Sequence, residues 1–151
     1  MKLKKVTSYA LHALMYMVRH LTQLPVSIEA ISKAEGVPKS NLTKIFKKLV
    51  DAGIVELATP RSKGYKFVNP PSHTSLMDLF EVMEGSGLFK DCFMKHCECG
   101  GTPENCYIYG AWQRSTKKMA ALLTETSLVD AAWNHPEHKF NEHPTEMPVE
   151  P

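Results

Sequence analysis

The chemistry in this sequence is concentrated in four cysteines, Cys92, Cys97, Cys99 and Cys106, which fall within fifteen residues and have no counterpart elsewhere in the 151 residues. Scattered structural thiols do not cluster in this way. Gathered thiolates ligate metals or iron–sulfur clusters, or cycle between dithiol and disulfide. The chain opens Met-Lys-Leu-Lys-Lys-Val-Thr-Ser, without the unbroken apolar stretch of a signal peptide. It also lacks any run of about 18 apolar residues that would cross a bilayer. A cytoplasmic protein that does not enter a membrane is therefore expected. In that compartment thiols stay reduced, which places a disulfide framework behind the other uses.

The cysteines are spaced Cys92-x6-Cys99-x6-Cys106, with Cys97 inside the first interval. Three thiolates on a loop plus one further group fill the four positions that an iron–sulfur cluster usually offers. Paired Cys-x-x-Cys motifs would argue for structural zinc, and there are none. Spacing by itself leaves a cluster, zinc and a dithiol switch all open.

A second chemistry is the recognition of a polyanion. The net charge is only +2, yet residues 1–70 carry 12 Lys and Arg against 4 Asp and Glu, whereas residues 71–151 carry 6 against 12. A basic half joined to an acidic half points to nucleic acid as the partner of the first half alone. The cations there are patterned. Over about residues 38 to 52, Leu42, Ile45, Phe46, Leu49 and Val50 recur at helical spacing and are expected to face a core. Lys39, Ser40, Thr43, Lys44, Lys47 and Lys48 are left mostly outside. On such a helix Ser40, Asn41 and Thr43 suit base edges and the lysines suit phosphates.

These residues need a frame. Leu11, Leu14, Met15, Val18 and Leu21 predict a first helix over about residues 8 to 21, with Thr7 or Ser8 as N-cap. Ser27 caps a short second helix carrying Ile28 and Ile31, Gly36 supplies the turn, and Pro38 opens the third helix. Strand-like runs at 54–58 and 65–68 flank Thr-Pro-Arg-Ser-Lys-Gly, a turn that exposes Arg61 and Lys63. Short helix, turn, basic helix and basic hairpin make a winged helix-turn-helix. Ser75 and Asp78 form a capping box for a helix that Gly85 stops. From 106 to about 124 a longer helix aligns Ile108, Ala111, Ser115, Met119, Leu122 and Leu123 on a side without an obvious partner in the chain, so a second copy is expected to cover it.

Other residues carry less. Met15, Met17, Met77, Met83 and Met119 read as gap-filling core or interface, His135, His138 and His143 as solvated tail positions, and Tyr107 and Trp112 as shielding for the loop or the dimer. No nucleophile with its base and no phosphate-cradling glycine loop suggests an enzyme.

Several stretches taken together resemble the IscR and NsrR family of bacterial transcription regulators over residues 1 to about 125. They are the opening Met-Lys-Leu with Tyr9-Ala10-Leu11-His12-Ala13-Leu14, the Ile28, Ile31 and Val37-Pro38 turn, Leu42 with Ile45-Phe46 and Leu49 up to Gly53-Ile54-Val55, the Arg61 and Gly64-Tyr65 wing, and Glu84-Gly85 before three cysteines. The resemblance implies a homodimeric repressor or activator on a palindromic double-stranded DNA operator. It also implies a labile iron–sulfur cluster, 2Fe-2S or 4Fe-4S, that senses iron, nitric oxide or redox state. Cys92, Cys99 and Cys106 match the family's ligand triplet, with Cys97 as the alternative. The family's fourth ligand is a histidine three residues after the last cysteine, where this chain has Tyr109, or an aspartate at the eighth position, where it has Ser8. Some relatives use a histidine in the first helix, at the place of His12, which makes His12 the implied fourth ligand beside Cys97. The expected fold is mainly α with a small β-hairpin. Residues 1–70 would form a winged helix-turn-helix, 71–133 a cluster-binding loop and long dimerisation helix, and 134–151 a disordered tail.

Overall fold

The computed structural model describes residues 3–92, 94 and 99–134. Cys97, and the tail from residue 135 with its three histidines, lie outside them. The first helix, α1 (Lys5–Arg19), buries Ala10, Ala13, Leu14, Met17 and Val18 along one stripe. It starts earlier than the sequence suggests, because neither Thr7 nor Ser8 caps it. Thr7 is fully buried a turn inside the helix, and its hydroxyl donates to the carboxylate of Glu84. That same carboxylate accepts from the backbone N–H of Lys4 at 2.8 Å, so the start of α1 is capped from another helix 80 residues away. Leu21 falls in a 3-10 turn, Leu21–Gln23, and is 45% exposed, beyond the reach of the helical stripe.

The helix-turn-helix follows as α2 (Ile28–Glu35), capped by the Ser27 hydroxyl and ended by left-handed Gly36, and α3 (Lys39–Asp51). The wing is β2 (Val55–Leu57) and β3 (Gly64–Phe67), antiparallel with Val55 opposite Phe67 and Leu57 opposite Tyr65. A third strand that the sequence pattern does not reveal, β1 (Val26–Ser27), pairs with β3 to give the order β1-β3-β2. The approach is close. A Cβ at Gly64 would lie 2.8 Å from the Pro25 Cβ, so only glycine fits opposite Ser27.

Helix α4 (Leu76–Glu84) carries the capping box of Ser75 and Asp78 and buries Leu79, Phe80 and Met83. The long helix α5 (Tyr107–Glu125) packs against α4. A last helix, α6 (Leu128–Trp133), is opened by a second capping box, Ser127 with Asp130, and sets Leu128 and Ala132 against α1. Arg19 secures it by donating twice to the Ala132 carbonyl, at 2.8 and 3.0 Å. The starts of α4 and α6 are tied together. Leu76 N–H donates to Thr126 O at 2.8 Å and Leu128 N–H to Thr74 O at 2.9 Å. One core therefore runs from α1 to α3 and on through α4 and α6.

Candidate DNA-binding surface and cysteine loop

Helix α3 buries Leu42, Ile45, Phe46 and Leu49, and leaves Lys39, Ser40, Thr43, Lys44, Lys47 and Lys48 exposed with Asn41 half-buried. Val50 differs from the expected inward position. It is 38% exposed, because the chain leaves the helix at Ala52 and Ile54 and Val55 fill the core instead. Thr43 donates its hydroxyl proton to the Lys39 carbonyl at 2.9 Å, which leaves a methyl and acceptor lone pairs for a ligand. Lys39 also approaches Glu29 on α2, Nζ to Oε1 at 3.9 Å. Arg61 and Lys63 are exposed on the wing. The turn between them is fixed by Ser62 N–H donating to Thr59 Oγ1 at 2.8 Å and Gly64 N–H to Ser62 Oγ at 3.2 Å. Phe46 and Tyr65 hold wing and helix in one relation, their rings 4.6 Å apart.

The loop after α4 brings Cys92, Cys99 and Cys106 toward one end of α5. Cys106 is its N-cap residue. Gly101 explains how Cys99 meets it. A Cβ built there would lie 3.4 Å from the Cys99 Sγ and 3.9 Å from the Cys106 Sγ, both ordinary contact distances, so the two sulfurs flank one point beside Gly101. The Gly101 N–H donates to the Cys99 sulfur at 3.4 Å. Thr102 and Asn105 exchange hydrogen bonds, at 2.7 and 3.3 Å, and Cys106 N–H donates to Thr102 O at 3.0 Å, which sets this turn. Cys92 is held to the same helix end by its neighbours: Trp112 Nε1 donates to Asp91 O at 2.8 Å and the Tyr109 hydroxyl to Lys90 O at 3.4 Å. Trp112 is thus an anchor for the loop, and Tyr109 supplies a tether in place of an imidazole. Sequence reasoning missed Gly101, whose place between Gly100 and Thr102 reads as a plain linker.

Cys92, Cys99 and Cys106 are all free thiols. No group of three His, Cys, Asp or Glu side chains stands ready to hold a metal among the described residues, His12 included. His12 sits on α1 with Nδ1 3.8 Å from Glu35 Oε2 on α2. Between the two regions lies Glu84, the last residue of α4, which the sequence offered only as part of a motif. Burial opposes its ionisation, but hydrogen bonds from the Thr7 hydroxyl and Lys4 N–H, with the Lys4 charge, outweigh that and hold its carboxyl below the usual range. On α5, Tyr107, Ile108, Met119 and Leu122 are exposed, whereas Leu123 turns inward onto the chain's own core. No described helix is long and apolar enough to cross a membrane.

Comparison with known proteins agrees with this geometry. The model of the Rrf2 family, described as iron-dependent transcriptional regulators, matches residues 3–134. Protein aau3 of Rhizobium meliloti (strain 1021) is 37% identical over 141 residues, covering 93% of this chain and 90% of that protein. The transcriptional regulator IscR of Aliivibrio salmonicida (strain LFI1238) is 27% identical over 128 residues, covering 85% of this chain and 75% of its own. The structure of CymR, the global cysteine regulator of B. subtilis, superposes with a TM-score of 0.73 at 19% identity, covering 90% of this chain and 99% of that one, a likeness of fold.

Proposed function

The chain belongs to the Rrf2 family of transcriptional regulators, and from that premise we propose that it is a cytoplasmic homodimer whose operator affinity follows the state of an iron–sulfur cluster on the cysteine loop. As a member of that family it is a winged-helix, DNA-binding regulator and not an enzyme. Residues 1–70 would serve as the reading half and 71–133 as the sensing and dimerising half. On the reading half Ser40, Asn41 and Thr43 would meet base edges, while Lys39, Lys44, Lys47, Arg61 and Lys63 would meet phosphates. Two copies joined along the Ile108, Met119 and Leu122 face of α5 would present paired reading helices to a palindrome.

The observation that carries the cluster reading is the arrangement at Gly101, where two cysteine sulfurs flank one point and a backbone N–H donates to one of them. Such donors, together with limited access of water, tune a cluster's potential and lifetime. The family's description as iron-dependent supports iron over zinc. When bound, the cluster supplies a redox-active centre that oxidants and nitric oxide can destroy. Cys92, Cys99 and Cys106 would hold it, with His12 of the partner subunit, or Cys97, as the fourth ligand. Glu35 beside His12 supports the histidine, because a metal-bound imidazole usually keeps a carboxylate near its other nitrogen.

Anaerobic purification tests the reading. The protein should be brown, contain iron and sulfide, and bind operator DNA differently before and after the cluster is stripped. Single Ala variants of Cys92, Cys99 and Cys106 should lose the colour. Colourless protein with one zinc per chain, or thiols that only cycle to a disulfide, would refute it. Sedimentation as a monomer at micromolar concentration would refute the dimer, and undiminished duplex binding by Lys44→Ala and Lys47→Ala would refute the assignment of α3.

A further inference from the structure

Attraction to DNA leaves one charge on the reading surface unexplained. A notch of about 240 Å³ opens between α3 and the wing, lined by Thr43, Leu57 and Tyr65 and by three charged residues, Lys39, Lys63 and Glu29. Glu29 stands in the first turn of α2 and Lys39 in the first turn of α3. Their side chains are 57% and 61% exposed. A pair so exposed contributes little to stability. The dipole of α2 does favour an acid in its first turn, but that is a matter of stability and not of DNA.

In helix-turn-helix proteins the first helix crosses the DNA backbone. The positive end of the α2 dipole, with Lys39 and Lys63 lining the same notch, would favour a phosphate there. Glu29 puts the opposite charge into that notch. No other acid lines the notch, and residues 37–50 contain four lysines and no acid at all.

We infer that Glu29 is an affinity-limiting residue: it competes with a DNA phosphate for Lys39 and repels the backbone from the notch. The inference rests on the reading of α3 and the wing as the DNA interface. Phosphate contacts strengthen binding to all sequences alike, and a regulator among a great excess of unrelated duplex is depleted by each one. Limiting them keeps more of the protein available for its operator.

Because the effect is independent of sequence, it is tested with the full-length protein and a labelled mixed-sequence duplex of about three helical turns, titrated at several salt concentrations. Glu29→Gln should tighten binding about threefold to tenfold near physiological salt and steepen the log–log salt slope by about 0.9, the value of one phosphate. In a Lys39→Ala background the same change should gain much less. Unchanged affinity and slope in Glu29→Gln, with Lys44→Ala and Lys47→Ala still weakening binding, overturns the inference and leaves the interface standing. An equal gain in both backgrounds overturns the competition for Lys39. If Lys44→Ala and Lys47→Ala are also without effect, the interface reading falls and this inference with it.

Discussion

Replacing Thr7 by Val tests the joint between the reading half and the cysteine loop. The two side chains have nearly the same shape, so the change removes a hydroxyl without opening a cavity. Thr7 is fully buried, and the Glu84 side chain is 7% exposed with a second acceptor contact from Lys4 N–H at 2.8 Å. The Lys4 ammonium, 3.7 Å away, is 62% exposed and cannot replace what is lost. A hydrogen bond to a charged group contributes about 1.5–3 kcal/mol. Thr7→Val should therefore destabilise the protein by about 2 kcal/mol at neutral pH, a fall in Tm of roughly 4–8 °C for a chain of this size. The pH dependence gives the sharper test. The folded Glu84 carboxyl lies below its reference value of 4.5, so its contribution is complete above that value and is lost as pH falls through the folded one. Once Glu84 is protonated in both proteins, the difference should shrink toward a neutral hydrogen bond, about 1 kcal/mol or less. Urea denaturation followed by circular dichroism at pH 7 and at a descending series of acidic pH values measures both. A difference below about 0.5 kcal/mol at pH 7, or one that does not change with pH, would refute the account of a buried, charge-assisted joint.

Gly64→Ala should cost about 1–3 kcal/mol, because the new methyl meets Pro25 at 2.8 Å; duplex binding should weaken with it as the wing shifts. Gly110→Ala would place a Cβ 2.9 Å from the Pro103 carbonyl oxygen, lifting the cysteine turn from α5; iron content per chain should fall although every cysteine remains. Leu128→Ala should destabilise by about 2–5 kcal/mol in thermal unfolding, since Leu128 is fully buried under α1.

The helix-turn-helix was legible because Leu42, Ile45, Phe46 and Leu49 repeat at the helical period and Ser27 and Gly36 mark its boundaries, all signals local in sequence. The same holds for the capping box of α4. What was not legible fell short of a period or acted at long range. Two residues of β1 cannot show alternation. Six residues of α6 complete fewer than two turns, although Ser127 and Asp130 repeat the motif of Ser75 and Asp78. Thr7 looked like an N-cap because Thr often is one, but its acceptor lies 77 residues away. Leu123 shares the spacing of the exposed face of α5, and only the position of the neighbouring helices turns it inward. At the cysteines, residue type and spacing suggested the chemistry, whereas the convergence of two sulfurs on Gly101 depends on a folded turn.

The pairing of Ser75 with Ser127 has a consequence for how this architecture can diversify. The segment of residues 76–126, which adds α4 to the core and carries the cysteine loop and α5 beyond it, begins and ends at one place, fastened by two backbone hydrogen bonds. A closed excursion of this kind tolerates insertion, because doubling the length of a flexible loop costs only about 0.6 kcal/mol in closure entropy. Changes in the length or composition of the segment between α4 and α5 need not alter the spacing of α3 and the wing. The helix-turn-helix and wing can in this way be inherited unchanged while the stretch that carries the cysteines changes in length and composition.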